Sequence, residues 1–330
     1  MKTAAPLSEP QTLLEAIRYF ADPDISLRTM VELRWPQGVH CPTCGRADVR
    51  FIATRRLWEC KEKHPKRQFS AKVGTIFEDS PVDLGKWFAA IWMVANCKNG
   101  ISSYEMHRAL GVTQKTAWFM DHRIRLAMQT GSVEKMSGSV EADESFVGGL
   151  SKNMHASRRK RVIGDARGHA GKEVVMGVLR RTDKASGSKS KVRAEHIPDV
   201  RGDTLHAQIR STIEPGSRLY TDSWVGYRGL DADYEQFVIN HAVAYVEGHV
   251  HTNGIENFWS LLKRTIKGTY VSVEPFHLGR YLDEQTFRFN ERDDTDGGRF
   301  RKVISSIAGR RLTYDELIGH AIPTKDPPPF

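Results

Sequence analysis

Three acidic residues in the second half of the chain stand where a carboxylate could do chemistry. Asp143 lies within the segment 137–147, which alternates in part like a β-strand, and Asp222 ends a later short strand. Glu256 lies on a predicted helix over about 252–266. An acid inside a buried strand is costly unless a cation or a partner compensates its charge. An acid at the carboxyl end of a strand lines the crevice where α/β sheets bind ligands, so these positions predict one shared site.

The chemistry that these carboxylates would support is phosphoryl transfer. Oxygen ligands on two strands and a helix can hold two hard divalent cations about 4 Å apart. One cation would lower the pKa of a water or of a DNA 3′-hydroxyl, and the other would stabilise the leaving oxygen. We therefore expect Mg²⁺ or Mn²⁺ at Asp143, Asp222 and Glu256. Any one of these acids taken alone is more often a surface or capping carboxylate, but their order on strand, strand and helix favours an active site.

The third member of this set lies within one turn of the predicted helix. Asn253 and Glu256 are three residues apart, so they share a helix face. A neutral amide is a poorer ligand for a hard cation than a carboxylate, which favours Glu256 as the catalytic residue over Asn253. Lys263 lies about two turns further along the same face. We predict that Lys263, with Arg264 beside it, binds the DNA backbone next to the scissile bond.

A second group of candidate ligands lies nearer the N-terminus. Cys41-Pro-Thr-Cys44-Gly is a Cys-x2-Cys knuckle, and Cys60 and His64 follow after a spacer of hairpin size. Two such ligand pairs on tight turns suit tetrahedral zinc, and a domain this small needs a metal to fold. Because no coordination position is left open, the zinc is predicted to be structural. His40, next to Cys41, is the alternative to His64, and buried thiols without metal are the alternative to the site.

Two short helices around Gly111 predict a helix-turn-helix. Ser102 or Ser103 can cap the first helix and Thr113 the second. The first turn of the second helix would place three polar residues near the floor of the major groove, where Gln pairs with adenine and Lys with guanine or phosphate: Gln114, Lys115 and Thr116. The interior of the motif is expected to be formed by Ala109, Leu110 and Val112. An ordinary helical hairpin is the alternative, but the basic residues around the zinc motif favour DNA.

The intervening segments predict the elements that position these residues. Residues 10–35 look helical, 39–70 are turn-rich, and 84–97 form an apolar helix. From residue 137 the order is three strands, helix, strand, short helix, strand and helix, which is α/β with an antiparallel meander followed by parallel strands. The polar and basic segment 151–172 looks like a mobile loop.

Composition limits the class of protein. The 330 residues carry a formal net charge of +9 at pH 7, and the pI is about 9.4, so the chain attracts polyanions such as nucleic acid. No stretch is apolar over the roughly 18 residues that a membrane span needs, and the N-terminus has no signal-peptide pattern. Four cysteines in a chain of this length do not suggest a secreted disulfide scaffold. We expect a cytoplasmic protein with double-stranded DNA as partner.

Several stretches together resemble the bacterial insertion-sequence transposases of the ISXO-like group. The matching stretches are Cys41-Pro-Thr-Cys44-Gly, Gln68-Phe-Ser70, Gly74-Thr-Ile-Phe-Glu78, Glu141-Ala-Asp-Glu144 with Gly148-Gly149, Tyr220-Thr-Asp222, and His251-Thr-Asn-Gly-Ile-Glu256 followed by Phe258-Trp-Ser-Leu-Leu-Lys-Arg264. The resemblance runs from about residue 20 to 295. It is specific, because independent motifs occur in the family's order.

The resemblance implies a ribonuclease-H-like catalytic core, with a mixed five-stranded sheet flanked by helices, preceded by a zinc ribbon and a helix-turn-helix. It also implies a bacterial, nucleoid-associated transposase that recognises terminal inverted repeats through its N-terminal modules and acts as a homo-oligomer on DNA. Magnesium-dependent cleavage at the element ends and transfer of the freed 3′-hydroxyl into target DNA would follow. The implied triad is Asp143, Asp222 and Glu256, while some members place an Asn where this chain has Asn253.

These inferences divide the chain into five predicted regions. They are an N-terminal helical segment (1–35), a zinc ribbon (36–80), a helix-turn-helix DNA-binding domain (81–130), a ribonuclease-H-like catalytic domain (131–270) and a C-terminal helical region (271–330) with a helix at 314–320. A non-transposing nuclease on the same scaffold is one alternative function. A domesticated DNA-binding regulator with a decayed core is another, which the intact acids at all three positions argue against.

Overall fold

The computed structural model describes residues 9–129, 134–148, 155–157, 160, 171–183, 187–239 and 251–320. The chain forms two compact units: Met1–Gln129 together with Asp293–Phe330, and Thr130–Arg292. Within the described ranges, no helix is long and apolar enough to cross a membrane. The predicted loop at 151–172 lies almost wholly outside the described residues. The five predicted regions are a finer division than these two units and stay a prediction.

The described helices and strands follow the predicted order. They are α1 (Leu13–Phe20), α2 (Pro23–Arg34), β1 (Val49–Ile52), β2 (Leu57–Cys60), β3 (Gln68–Phe69), α3 (Leu84–Asn96), α4 (Ser103–Leu110), α5 (Gln114–Met128), β4 (Ser139–Val147), β5 (Glu173–Arg180), β6 (Lys191–Ile197), α6 (Gly202–Thr212), β7 (Arg218–Asp222), β8 (Glu235–Ile239), α7 (Asn253–Thr265), α8 (Leu278–Asn290), α9 (Asp296–Ser305) and α10 (Tyr314–Leu317). The helix predicted at 314–320 is therefore shorter than expected.

The helical stretch at the N-terminus is broken into α1 and α2. The side chain of Asp22 accepts hydrogen bonds from the backbone N–H groups of Asp24 and Ile25, and Pro23 occupies the first helical position. Proline lacks the N–H that would continue the preceding helix, and it is well suited to starting the next one. The Asp-Pro pair therefore ends one helix and begins another.

Helix α3 lies at the centre of the first unit. Nine consecutive residues, from Trp87 to Ala95, are buried, which explains why this helix is apolar around its whole circumference. The ring of Phe88 packs 4.7 Å from that of Phe20 on α1 and 5.8 Å from that of Phe300 on α9, measured between centroids. The segment after residue 293 thus contributes to the core that the N-terminal helices form.

A five-stranded sheet forms the second unit, in the order β6-β5-β4-β7-β8. Strands β4, β5 and β6 pair antiparallel, whereas β7 pairs parallel to β4 and β8 parallel to β7. The predicted meander with parallel additions is confirmed. This mixed sheet flanked by helices is consistent with a ribonuclease-H-like core.

Each face of the sheet has its own hydrophobic core. Against one face pack α6 and the loop that follows β7, through Leu205, Ile209, Tyr227 and Leu230. Against the other pack α7 and α8, through Ile255, Phe258, Trp259, Leu262 and Leu282. Because strand residues alternate between faces, each candidate residue on β4 belongs to one of these two environments.

A buried ion pair lies within α8 and is linked to the turn that follows α7. The guanidinium of Arg288 and the fully buried carboxylate of Glu284, one helical turn apart, form this pair. The hydroxyl of Tyr270 also donates a hydrogen bond to Glu284, and Tyr270 ends a single π-helical turn, Ile266–Tyr270, that follows α7. The Tyr270 hydrogen bond therefore connects α8 to the carboxyl end of the helix that carries Glu256.

We expect Arg288→Met to lower the free energy of unfolding by about 3–5 kcal/mol, because it leaves the charge of Glu284 buried and unpaired. Urea denaturation followed by circular dichroism measures the change. The double variant Glu284→Leu/Arg288→Met removes both charges and should recover most of the loss. A single variant within about 1 kcal/mol of the wild type would contradict this assignment of the pair.

Candidate active site and metal centre

Asp143 and Asp222 lie on neighbouring parallel strands. Glu141 on β4 is in register with Tyr220 on β7. Two residues further along each strand, the same register brings Asp143 opposite Asp222, with both side chains on one face. Asp222 is the last residue of β7, so the two carboxylates meet at the carboxyl end of the parallel pair. This is the edge at which α/β sheets bind ligands.

Asp143 occupies a crowded and negatively charged environment. Burial raises its pKa to about 7, the charges of Asp222 and Glu256 contribute to the increase, and a hydrogen bond from Trp259 opposes it. Trp259 donates its indole N–H to Oδ2 of Asp143 at 3.0 Å. Its ring reaches this position because Gly177, paired with Asp143 on β5, has no side chain: a Cβ there would lie 2.6 Å from the ring.

Glu256 lies in the first turn of α7 and is exposed. Its carboxylate accepts a hydrogen bond from the hydroxyl of Thr252 at 2.8 Å. Because its charge helps to raise the pKa of Asp143, the structure brings Asp143, Asp222 and Glu256 within electrostatic reach of one another. Asn253 is the first residue of α7 and is also exposed, and within the described part of the chain its side chain makes no hydrogen bond.

Lys263 lies close to the same acids. Burial lowers the pKa of its ammonium group, and Asp143 counteracts burial, so the two charges interact. Lys172 and Lys267 are near enough to lower the pKa further, which makes this a concentrated basic region beside the carboxylates. Arg264 is exposed on a different side of α7. The structure thus places Lys263 at the site and Arg264 away from it.

Glu141 has a structural role that the sequence did not reveal. It is buried at 1% exposure, pairs with Arg181 at 2.7 Å, and accepts the backbone N–H of Ile255 at 2.9 Å. An anion at a helix N-terminus is favoured by the unpaired N–H groups there. Glu141 therefore fixes the start of α7 against β4, and with it the position of Glu256. The sequence feature that indicates this role is the position of Glu141, two residues before Asp143 on the same face of β4.

Glu144 lies on the opposite face of β4, beside Tyr227. Burial raises its pKa to about 8, with the charges of Asp143 and Asp222 adding to the effect and Tyr227 opposing it. Burial likewise raises the pKa of the Tyr227 hydroxyl. The sequence pattern did not single out this acid. Four carboxylates therefore lie close together at the same end of the sheet, on both of its faces: Asp143, Glu144, Asp222 and Glu256.

The arrangement fits divalent cations. Burial and the neighbouring acids raise the pKa of Asp143 and so disfavour its negative charge, which a hard cation with oxygen ligands would compensate. The three acids do not form a group of ligand atoms within 4.8 Å of one another in the part of the chain that the structure describes. A pair of cations, about 4 Å apart, spreads its ligands more widely than a single ion does.

The predicted zinc ligands meet in the first unit. Ligand atoms of Cys41, Cys44, Cys60 and His64 all lie within 4.8 Å of one another. Sγ of Cys41 is 3.4 Å from Nε2 of His64, and Sγ of Cys44 is 3.6 Å from Sγ of Cys60. Three sulfurs and one imidazole nitrogen at such distances support a structural zinc site. His40 is not part of the group.

The environment of these ligands suits a metal. Nδ1 of His64 donates to the carbonyl of Pro65 at 2.6 Å, so Nε2 is left free of a proton and faces the sulfurs. Burial raises the pKa of the Cys41 thiol, but hydrogen bonds from the backbone N–H groups of Thr43 and Cys44 and from the neighbouring thiols outweigh it and lower the pKa to about 7. A thiolate is the form that binds zinc.

Two helices joined by a short turn occupy the predicted helix-turn-helix region. Ser102 and Glu105 form a capping box at the start of α4, Gly111 adopts φ 60°, and Thr113 caps α5. Nδ1 of His107 lies 2.7 Å from the carbonyl oxygen of Val112, which closes the turn. One expectation was wrong: Ala109 is exposed, and Leu110 and Val112 are only half-buried. Next to the turn, the buried residues are Met106 on α4 and Ala117 on α5, because the chain reverses at Gly111 and leaves Ala109 on the solvent side.

The three residues predicted to read DNA lie in the first turn of α5. The amide of Gln114 donates to the hydroxyl of Ser103 at 2.9 Å, Thr116 hydrogen-bonds to Thr113, and the ammonium of Lys115 lies 4.2 Å from the ring centroid of Tyr314. Their contact with DNA stays a prediction. Gln114 and Lys115 would have to exchange these internal contacts for DNA.

Two family models match the chain. An ISXO2-like transposase domain covers residues 135–290, and a transposase zinc-ribbon domain covers residues 25–62. The chain belongs to the ISXO2-like insertion-sequence transposases. The first match contains all the carboxylates described above, and the second contains the three cysteine ligands of the metal centre but ends two residues before His64.

Relatives of this transposase support the assignment. An uncharacterised protein in transposable element ISH50 of Halobacterium salinarum is 27% identical over 274 residues, which cover 81% of this chain and 90% of the relative. An uncharacterised transposase-like protein of Haemophilus influenzae is 36% identical over 106 residues, which cover 32% of this chain and 85% of the relative. No solved structure matches significantly.

Proposed function

We propose that this transposase cuts DNA at the ends of its insertion sequence and joins the freed 3′-hydroxyl to target DNA. The observation that carries the proposal is the position of Asp143, opposite Asp222 and within electrostatic reach of Glu256 at the carboxyl end of the parallel strands. This geometry supports phosphoryl transfer because carboxylates converging at a sheet edge can position both oxygens of an in-line displacement.

Each residue has a proposed task. Asp143, Asp222 and Glu256 would hold two Mg²⁺ or Mn²⁺ ions, which when bound activate the attacking oxygen and stabilise the leaving one. Lys263 would bind the phosphate next to the scissile bond, since its charge already faces Asp143. Glu141 orients α7 so that Glu256 faces the strands. Asn253 is retained as the alternative third ligand because it starts the same helix.

DNA recognition is assigned to the N-terminal modules. We propose that the zinc ribbon (36–80) and the helix-turn-helix (81–130) bind the terminal inverted repeats, with Gln114, Lys115 and Thr116 in the major groove. Arg264, which lies on α7 in the catalytic domain, would bind backbone phosphate there. The catalytic domain would span 131–270 and the C-terminal helical region 271–330. The protein would act on DNA as a homo-oligomer, since two element ends must be held together.

We expect DNA binding to weaken steeply with salt, because phosphate contacts release counterions. Lys263→Ala should weaken binding to every sequence to a similar degree and reduce the slope of log affinity against log salt by about 1. Fluorescence anisotropy across a salt series measures both. Lys302→Ala is the control, since Lys302 already pairs with Asp294 at 2.9 Å in the other unit. An unchanged slope for Lys263→Ala would remove this residue from the DNA contact.

A cleavage and strand-transfer assay on the element's own ends tests the proposal. The wild type with Mg²⁺ should release a 3′-hydroxyl and join it to a target duplex. Cleavage without joining would instead indicate a non-transposing nuclease, and binding without cleavage a regulator. Running Glu256→Gln beside Asn253→Ala decides the third ligand, because only loss of the true ligand should abolish cleavage.

A further inference from the structure

Trp224 is an exposed aromatic residue directly beside a candidate catalytic acid. It follows Asp222 by two residues, at the end of β7, and its side chain is 46% exposed. A single exposed hydrophobic residue is common on protein surfaces and means little by itself. Its place at the carboxyl end of the strand distinguishes this one, because its backbone contacts the carboxylate of Asp222.

The ring of Trp224 is held in one orientation. The backbone N–H of Trp224 donates to Oδ1 of Asp222 at 2.9 Å, and the indole N–H donates to the carbonyl of Val200 at 3.3 Å. The ring lies against Gly226, where a Cβ would be 2.9 Å from the indole nitrogen. An aromatic face that is fixed before binding loses little conformational entropy when a ligand stacks on it.

The exposed ring borders an open cleft of about 1030 Å³, a size at the upper end of ligand sites. Three arginines and one histidine line it together with two acids: Arg201, Arg210, Arg228, His206, Asp199 and Asp203. Arg210 pairs with Asp233, and Arg201 lies 3.7 Å from Asp199. Within the described residues, the exposed side chain of Arg228 has no acidic partner and is available to an anion.

A rigid aromatic face and an exposed guanidinium on the same cleft match the two parts of a nucleotide. Bases stack on Trp through their π-faces, and Arg binds the phosphate. We propose that Trp224 stacks on one unpaired nucleobase of the strand that Asp143 and Asp222 act on, next to the scissile phosphate, while Arg228 contacts the adjoining phosphate. This inference rests on the proposed function, since it takes DNA as the substrate of these acids.

Binding measured in an Asp143→Asn background tests the inference without consuming the DNA. The probes are duplexes of the element end, each with one abasic nucleotide near the cleavage position. One abasic position should weaken binding of Asp143→Asn about tenfold. The double variant Asp143→Asn/Trp224→Ala should bind the intact duplex more weakly by a similar factor. It should bind the duplex with the sensitive abasic position no more weakly than the intact duplex. Trp224→Phe should retain most of the sensitivity, because it keeps an aromatic face.

Val238→Ala is the matched control, since Val238 on β8 is a 50% exposed apolar residue that does not line the cleft. It should bind like the parent. The inference is overturned if Trp224→Ala binds within about twofold of the parent, or if the full abasic penalty persists in that variant. A wild type that binds the ends but never cuts them would contradict the proposed function, whereas the stacking result is read from binding alone.

Discussion

Asp143→Asn is expected to abolish DNA cleavage, by at least about 10³-fold or roughly 4 kcal/mol of transition-state stabilisation, while DNA binding stays within about threefold. The amide has nearly the shape of the carboxylate but lacks the charge that binds a hard cation. Burial and the charges of Asp222 and Glu256 show that Asp143 lies at the centre of the acidic group. Single-turnover cleavage of labelled ends with Mg²⁺ measures the loss, and Asp222→Asn should match it.

The loss of cleavage in Asp143→Asn must be distinguished from a loss of folding. The amide at position 143 can still accept the indole N–H of Trp259, so the variant should unfold at a temperature no lower than the wild type. Removing a negative charge from this repulsive group should stabilise the protein, since burial and the neighbouring acids disfavour the charged form of Asp143.

Glu235→Gln makes the same kind of carboxylate-to-amide change far from the reaction. Glu235 is the first residue of β8, is exposed, and pairs with Arg218 at the amino end of the parallel strands. The cleavage rate of the Glu235→Gln variant should stay within about twofold of the wild-type rate, because an exposed ion pair contributes little to stability. Full cleavage by Asp143→Asn, or an equal loss in Glu235→Gln, would refute the assigned role.

The sequence was informative where local patterns decide structure. Alternation within β4 and the position of Asp222 at the end of a strand predicted that the two acids face the same edge, and the register of β4 with β7 agrees. The Cys-x2-Cys knuckle predicted the metal centre for the same reason, because the ligand spacing and the turn are local properties.

Contacts between segments distant in sequence were not predictable in the same way. The roles of Glu141 and Trp259 depend on packing α7 against β4, and the contacting residues lie 114 and 116 positions apart in the chain, which no local pattern encodes. The surroundings of Glu144 and Trp224 depend on which face of the sheet is covered by α6 and the loop after β7. The exposure of Ala109 likewise depends on the direction in which the chain leaves α4 at Gly111, not on the apolar pattern alone.

Cys41→Ser is expected to remove one tightly bound zinc per chain and to unfold the ribbon around β1, β2 and β3. Structural zinc contributes about 10–16 kcal/mol to the folding of comparable small domains. The ribbon has only three short strands and depends on few buried side chains, such as Trp58 and Phe69, whose rings lie 6.2 Å apart. Metal analysis of the purified protein and protease sensitivity between residues 41 and 69 measure the two effects.

Cys97→Ser is the matched control, because Cys97 is half-buried and lies outside the ligand group. It should keep its zinc and its protease resistance. The two histidines give a sharper test, since Nε2 of His64 faces Cys41 whereas Nδ1 of His40 contacts the carbonyl of Gly38. His64→Ala should lose most of its zinc affinity and His40→Ala almost none, for one ring is a ligand and the other only a neighbour. The opposite result would make His40 the fourth ligand. A wild-type protein purified without zinc would contradict the metal centre itself.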